Sequence, residues 1–135
     1  MRVGPELRFL VAQRADLRCE YCLIHQDDAA FSHEVDHIMS RQHGGKTTAD
    51  NLAYACMICN RFKGTNISSV DASGTIMRLF NPRSERWKDH FRLIGAVIQP
   101  LTATGEATAR VLRLNAAERV VERNVLQRLG RYPRG

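Results

Sequence analysis

Cys19-Glu20-Tyr21-Cys22 and Cys56-Met57-Ile58-Cys59 are the two stretches whose reading decides the fold. Two residues between thiolates let both sulfurs of a knuckle reach one ion at about 2.3 Å. Two knuckles together supply the four soft ligands of a tetrahedral zinc site. The chain has four cysteines and this pattern uses all of them. The thirty-three residues between the knuckles exceed the usual finger spacing, so a small folded insert is expected there. Two other readings compete. A pair of disulfides fits poorly with a chain that shows no secretion signal. A thioredoxin-like redox pair explains one motif and leaves the second without a purpose. A closed four-sulfur site has no open coordination position, so the zinc is expected to fold the protein and leave any chemistry to other residues.

The insert has a simple local pattern. Glu34-Val35-Asp36-His37-Ile38 reads as a short strand, and Gln42-His43-Gly44-Gly45-Lys46 as a flexible turn, since paired glycines punctuate structure. Asn51-Leu52-Ala53-Tyr54-Ala55 reads as a second strand or a helical turn, and Asn60-Arg61-Phe62-Lys63-Gly64 as the opening of a short helix. Adjacent strand residues point to opposite faces, so Asp36 and His37 are able to serve a metal and a water separately. The carboxylate of Asp36 and the amide oxygen of Asn60 suit Mg²⁺, which commonly takes one or two carboxylates and keeps several waters. His37 is then free to act as a general base, with an unperturbed pKa of about 6.5. One metal and one base are the parts needed to hydrolyse a phosphodiester. By spacing alone, an Asp-His pair is more often a surface or capping pair.

Upstream, Pro5 to Arg18 reads as one helix, with Leu7, Leu10, Val11 and Leu17 near i, i+3, i+4 spacing and Pro5 in the first turn. Downstream, Asp71-Ala72-Ser73-Gly74 reads as a turn. His90 to Ile98 and Leu101 to Thr104 are expected to pair as strands, and a helical stretch follows to Leu114. Asn115 is the expected N-cap of a last helix ending near Leu129, with Val120, Val121, Val125, Leu126 and Leu129 as its apolar side and Arg119, Arg123 and Arg128 elsewhere. Trp87 and Phe91, four apart, are expected to pack in the core.

The length of 135 residues fits about one domain. Hydrophobic residues make up 44% and charged residues 25%, as in ordinary globular chains, while aromatics reach only 7%. So thin a core often leans on a metal. No apolar run approaches the ~18–20 residues of a membrane span. The first residues carry charges throughout and show no signal-peptide core, so a cytoplasmic address is expected. Net charge is +6, and it is uneven. Residues 1–60 hold six Lys/Arg against eight Asp/Glu, and residues 61–135 fourteen against six. Such asymmetry suggests a polyanionic partner, nucleic acid first.

Glu34-Val35-Asp36-His37-Ile38, Gly44-Gly45, Asp50-Asn51-Leu52 and Cys56-Met57-Ile58-Cys59-Asn60-Arg61-Phe62-Lys63-Gly64, in this order, resemble the HNH endonuclease family. The resemblance spans residues 19–64 and includes the zinc knuckles many members carry. It implies an α+β fold with a ββα-metal (HNH/His-Me finger) core, stapled by the four-cysteine site, with an N-terminal helix and a C-terminal strand and helix extension. It implies His37 as general base, Asn51 as the middle residue that holds the loop and orients the base, and Asp36 and Asn60 as ligands of a catalytic Mg²⁺ or Mn²⁺. Asn60 stands where many members carry histidine, making this an H-N-N variant. Cys19, Cys22, Cys56 and Cys59 are the ligands of structural Zn²⁺. The implied organisation is a nuclease core over residues 1–70 and a basic extension over 71–135 packed on it. Phe80-Asn81-Pro82-Arg83, Trp87 to Phe91, Leu101 to Thr108 and Leu114-Asn115 resemble the tail of small stand-alone bacterial HNH proteins.

The expected activity is metal-dependent hydrolysis of DNA, nicking or cutting both strands with low sequence specificity, by a monomer or homodimer. Double-stranded DNA is the first partner and RNA the alternative; no membrane is involved. Lys63, Arg61, Arg83, Arg86 and Lys88 are the candidate phosphate contacts. The competing reading is a zinc-dependent nucleic-acid binding module without catalysis.

Overall fold

The computed structural model describes residues 3–134. Helix α1 (Pro5–Arg14) leads into the first knuckle. Strands β1 (Glu34–His37) and β2 (Leu52–Ala55) pair antiparallel, with Glu34 opposite Ala55 and His37 opposite Leu52. Helix α2 (Met57–Lys63) follows β2 at once. Two more antiparallel pairs succeed it: β3 (Ser68–Val70) with β4 (Ile76–Arg78), and β5 (Phe91–Ile94) with β6 (Val97–Pro100). The short helix α3 (Trp87–His90) precedes β5, and α4 (Ala103–Val111) and α5 (Ala117–Arg128) close the chain. The architecture is a small mixed α+β fold of short strand pairs around a four-cysteine cluster.

The cysteines lie inside the main core. Cys19, Cys22, Cys56 and Cys59 are buried with Tyr21, Phe80, Phe91, Ile98, Leu112 and Leu114. Phe80 meets both Tyr21 and Phe91 edge-on, at centroid distances of 6.4 Å and 5.6 Å. Trp87 packs on Phe91 at 5.2 Å and donates its indole N–H to the Tyr21 carbonyl at 2.8 Å, in keeping with a core role. A smaller cluster of Val11, Ala15, Leu52 and Tyr54 seats α1 on the β1–β2 pair.

Three local expectations are corrected. Helix α1 stops at Arg14, because Asp16 and Leu17 take positive φ (53° and 60°) and turn the chain so that the Cys19 N–H reaches the Ile24 carbonyl at 2.9 Å. The strand pair expected from His90–Ile98 with Leu101–Thr104 is instead a tight hairpin turning at Gly95 and Ala96, where Gly95 supplies φ 59°. Thr102 accepts the Gly105 N–H at 3.0 Å as the N-cap of α4, which takes 103–104 out of any strand. Asn115 does not cap α5. Its amide grips the Ile98 N–H and C=O, each at 2.8 Å.

The sequence leaves open whether the apolar side of the last helix docks on the core or meets a second copy. Val121 is 60% exposed, and Val125 and Leu129 are also exposed, whereas Arg119, Arg123 and Leu126 are buried. Polar partners decide this arrangement: both arginines find buried acceptors on the core side, so their stems pack while their heads are satisfied.

Glu85 ties β4 to the loop before α3. It accepts two hydrogen bonds from Arg78 at 2.8 Å and 2.6 Å and one from the Asn81 N–H at 2.9 Å. These, Arg78 foremost, hold its carboxyl down at about 2, against an ordinary 4.5. Glu85 therefore contributes stability that is present above pH 4.5 and is lost as pH falls toward 2. Glu85→Gln should flatten the fall of Tm across that window. An unchanged acid slope in the variant contradicts the assignment.

Candidate functional site

The four sulfurs all lie within 4.8 Å of one another. Cys22 Sγ and Cys56 Sγ are 3.7 Å apart, close to the edge of about 3.8 Å that a tetrahedron of 2.3 Å Zn–S bonds requires. None of the four is joined in a disulfide, and their mutual approach fits a shared ion. Backbone N–H groups of Tyr21 and Cys22 point at Cys19 Sγ, and that of Cys59 at Cys56 Sγ, each at 3.4 Å. In the second knuckle that bond is also the N-cap of α2. Burial pushes the Cys19 and Cys59 thiols up, while hydrogen bonds from Cys19 and the other two thiols pull Cys22 down. Four soft donors converging in a dry pocket are positioned to form a zinc site.

The helix that starts on this knuckle faces β1. Asn60 and Lys63, one turn apart, share a face of α2, and Glu34 and Asp36 share a face of β1. They meet as two cross pairs. Asn60 Nδ2 donates to Glu34 Oε2. Lys63 Nζ lies 3.1 Å from Oδ2 and 3.2 Å from Oδ1 of Asp36, and also donates to the carbonyls of His37 and Ile38 at 2.9 Å and 3.1 Å. The Tyr21 hydroxyl adds a bond to Asp36 Oδ2 at 2.9 Å. Burial pushes the Asp36 carboxyl up, against the pull of Lys63 and Tyr21. Asp36 and Asn60 thus have separate partners here. In kind they remain hard oxygen donors suited to a divalent ion, although a buried ammonium already stands beside Asp36.

His37 ends β1 opposite Leu52, and its Nε2 is 2.9 Å from Thr47 Oγ1. Burial lowers its pKa from the ordinary 6.5, which favours the neutral imidazole at pH 7. Asn51 holds the loop between the strands. Its Oδ1 accepts the Met39 N–H at 2.9 Å, and its Nδ2 donates to the carbonyls of Met39 and Lys46 at 2.9 Å and 2.8 Å. Gly45 permits this closure, since a Cβ there would sit 1.7 Å from the Met39 oxygen. A cleft of about 420 Å³ opens beside this loop, lined by Gly45, Lys46, Asn51, Lys63 and Arg78 among others.

Two of the candidate phosphate contacts turn inward. Lys63 is 1% exposed and serves Asp36, neither a DNA strand nor solvent. Arg83 pairs with Glu20 and donates to the Leu52 carbonyl at 3.0 Å, bracing the first knuckle against β2. Arg61, Arg86 and Lys88 are exposed. Three residues at the site went unread in the sequence as partners: Thr47, Tyr21 and Arg119, whose guanidinium reaches Cys59 Sγ at 3.0 Å. Loop position, burial inside a knuckle and distance along the chain left them without a pattern to read.

Lys63→Met alone would leave a buried carboxylate unpaired and should cost about 3–5 kcal/mol in urea unfolding. Adding Asp36→Asn should recover most of that loss. A single variant within about 0.5 kcal/mol of wild type contradicts the pairing.

Comparison with known proteins gives a match over one segment. No curated protein and no solved structure matches the chain. The family model described as HNH endonuclease matches residues 19–66, from the first ligand of the first knuckle to just past α2. Over residues 19–66, which hold both knuckles, β1, β2 and α2, the chain carries the HNH endonuclease family pattern.

Proposed function

We propose that this protein is an HNH-type endonuclease that hydrolyses phosphodiester bonds in double-stranded DNA, built on a ββα-metal core of β1, β2 and α2. The observation that carries the reading is His37: a partly buried imidazole at the end of β1, beside Asp36 and next to a loop stapled by Asn51, within the matched segment. That setting supports a base that is neutral at pH 7 and fixed relative to the strand.

The neutral His37 imidazole takes the proton of an attacking water, and the resulting hydroxide adds in line to the scissile phosphorus. The bond to the 3′ oxygen breaks and that oxygen takes a proton from solvent water, leaving a 5′-phosphate and a 3′-hydroxyl. Asn51 keeps the 39–46 loop closed over the strand end, and the Thr47 hydroxyl orients the ring. A Mg²⁺ or Mn²⁺ ion, when bound, would supply Lewis-acid stabilisation of the phosphate and the departing oxygen. Asp36 and Asn60 are the residues that would hold it, and Lys63 would compete for Asp36. Arg61, Arg86 and Lys88 remain free to meet phosphates, so affinity is expected to fall with salt.

A second reading, a zinc-dependent nucleic-acid binding module without catalysis, is favoured by the closure of Asp36 between Lys63 and Tyr21. One assay separates the two. Supercoiled plasmid is incubated with wild type and with His37→Ala, each with Mg²⁺, Mn²⁺ or EDTA. Metal-dependent nicking or linearisation by wild type, lost in the variant, is the expected result, and the product form reports on monomer or homodimer. Gel shifts by both proteins without products under any ion would replace the nuclease reading by the binding module.

A further inference from the structure

Four thiolates around one divalent zinc ion carry a net charge of about −2, and here that charge would be buried in the main core. A buried charge needs a partner. Among the described residues, Arg119 is the cationic side chain bonded to the cluster. Its Nη2 lies 3.0 Å from Cys59 Sγ and 3.9 Å from Cys56 Sγ, and its Nη1 donates to the carbonyls of Leu112 and Arg113 at 2.7 Å and 3.2 Å. The residue is 5% exposed, so water does little to screen it. Arg119 sits in the first turn of α5, sixty residues beyond the last cysteine. The segment after α5 also closes on the first knuckle. The Tyr132 hydroxyl donates to the Cys22 carbonyl at 2.7 Å, and Arg131 and Arg134 both clasp the buried carboxylate of Asp28.

We propose that Arg119 is a positioning residue for the zinc site, its counter-charge and N–H···S donor, so that zinc occupancy and docking of the C-terminal helix stabilise each other. The inference rests on zinc filling the four-cysteine site and is independent of nuclease activity. With the metal bound, the guanidinium neutralises part of the thiolate charge and fixes the second knuckle. Without it, α5 keeps its apolar contact through Leu126 and loses its main electrostatic anchor.

The test uses the full chain as wild type, Arg119→Met, which keeps much of the stem volume and removes charge and donors, and Arg119→Lys, which keeps the charge. Zinc affinity is read by chelator competition, and cobalt(II) is substituted for zinc to read the sulfur-to-metal charge-transfer band. Arg119→Met should weaken zinc by about 10–100-fold, the usual cost of losing an outer-shell partner, and Arg119→Lys should restore part of it. The charge-transfer band of Arg119→Met should move to lower energy, because thiolates without the N–H donor and positive charge give up electrons more readily. Wild-type zinc affinity with an unshifted band overturns the proposal. So does an Arg119→Met chain that stays unfolded in excess zinc, since the residue is then a packing element. A wild type that takes up neither zinc nor cobalt overturns the zinc reading itself, and the proposal with it.

Discussion

The convergence of four buried thiols is the constraint on which the rest of the structure depends. The two knuckles bracket a loop of thirty-three residues that holds β1, the 38–51 connection and β2. Two strands of four residues each are too short to be stable alone. A metal joining Cys19 and Cys22 to Cys56 and Cys59 closes that loop and offsets the thin aromatic core. The second knuckle also starts α2, because Cys56 is its N-cap. The direction of α2 then places Asn60 against Glu34 and Lys63 against Asp36. Site geometry follows from the cysteine cluster through a single turn of backbone.

Part of the basic second half of the chain is bonded to groups of the protein itself. Arg83 braces Glu20, Arg119 faces the sulfurs, Arg123 is bonded to the Ala96 carbonyl, and Arg131 and Arg134 hold Asp28. Arg83, Arg119 and Arg123 are spent on internal acceptors, whereas Arg131 stays half exposed beside Asp28. Arg61, Arg86 and Lys88 stay open to a polyanion, and Arg92, Arg110, Arg113 and Arg128 are exposed as well.

What the sequence made legible was local and periodic. The CxxC pairs and the strand from Glu34 to His37 could be read as short patterns with one physical meaning, whereas 51–55 fitted strand or helical turn alike and the helix expected to open at Asn60 starts three residues earlier, at Met57. The β5–β6 hairpin was misplaced because Ile94-Gly95-Ala96-Val97 is a two-residue turn flanked by apolar residues on both sides, so its register has no polar marker. Side-chain partnerships across long distances were illegible. Lys63 and Arg119 look like ordinary charged positions on helices, and only the folded chain shows an aspartate and two thiols waiting behind them. Asn115 misled for the opposite reason: it fits a cap pattern, yet a backbone N–H and C=O of β6 compete for the same amide and win.

The most direct test of the central claim is X-ray absorption at the zinc edge on protein purified under reducing conditions. One zinc per chain with four sulfur neighbours at about 2.3 Å is the result this account predicts. A shell containing nitrogen or oxygen, or protein that folds cooperatively with no metal bound, would contradict it.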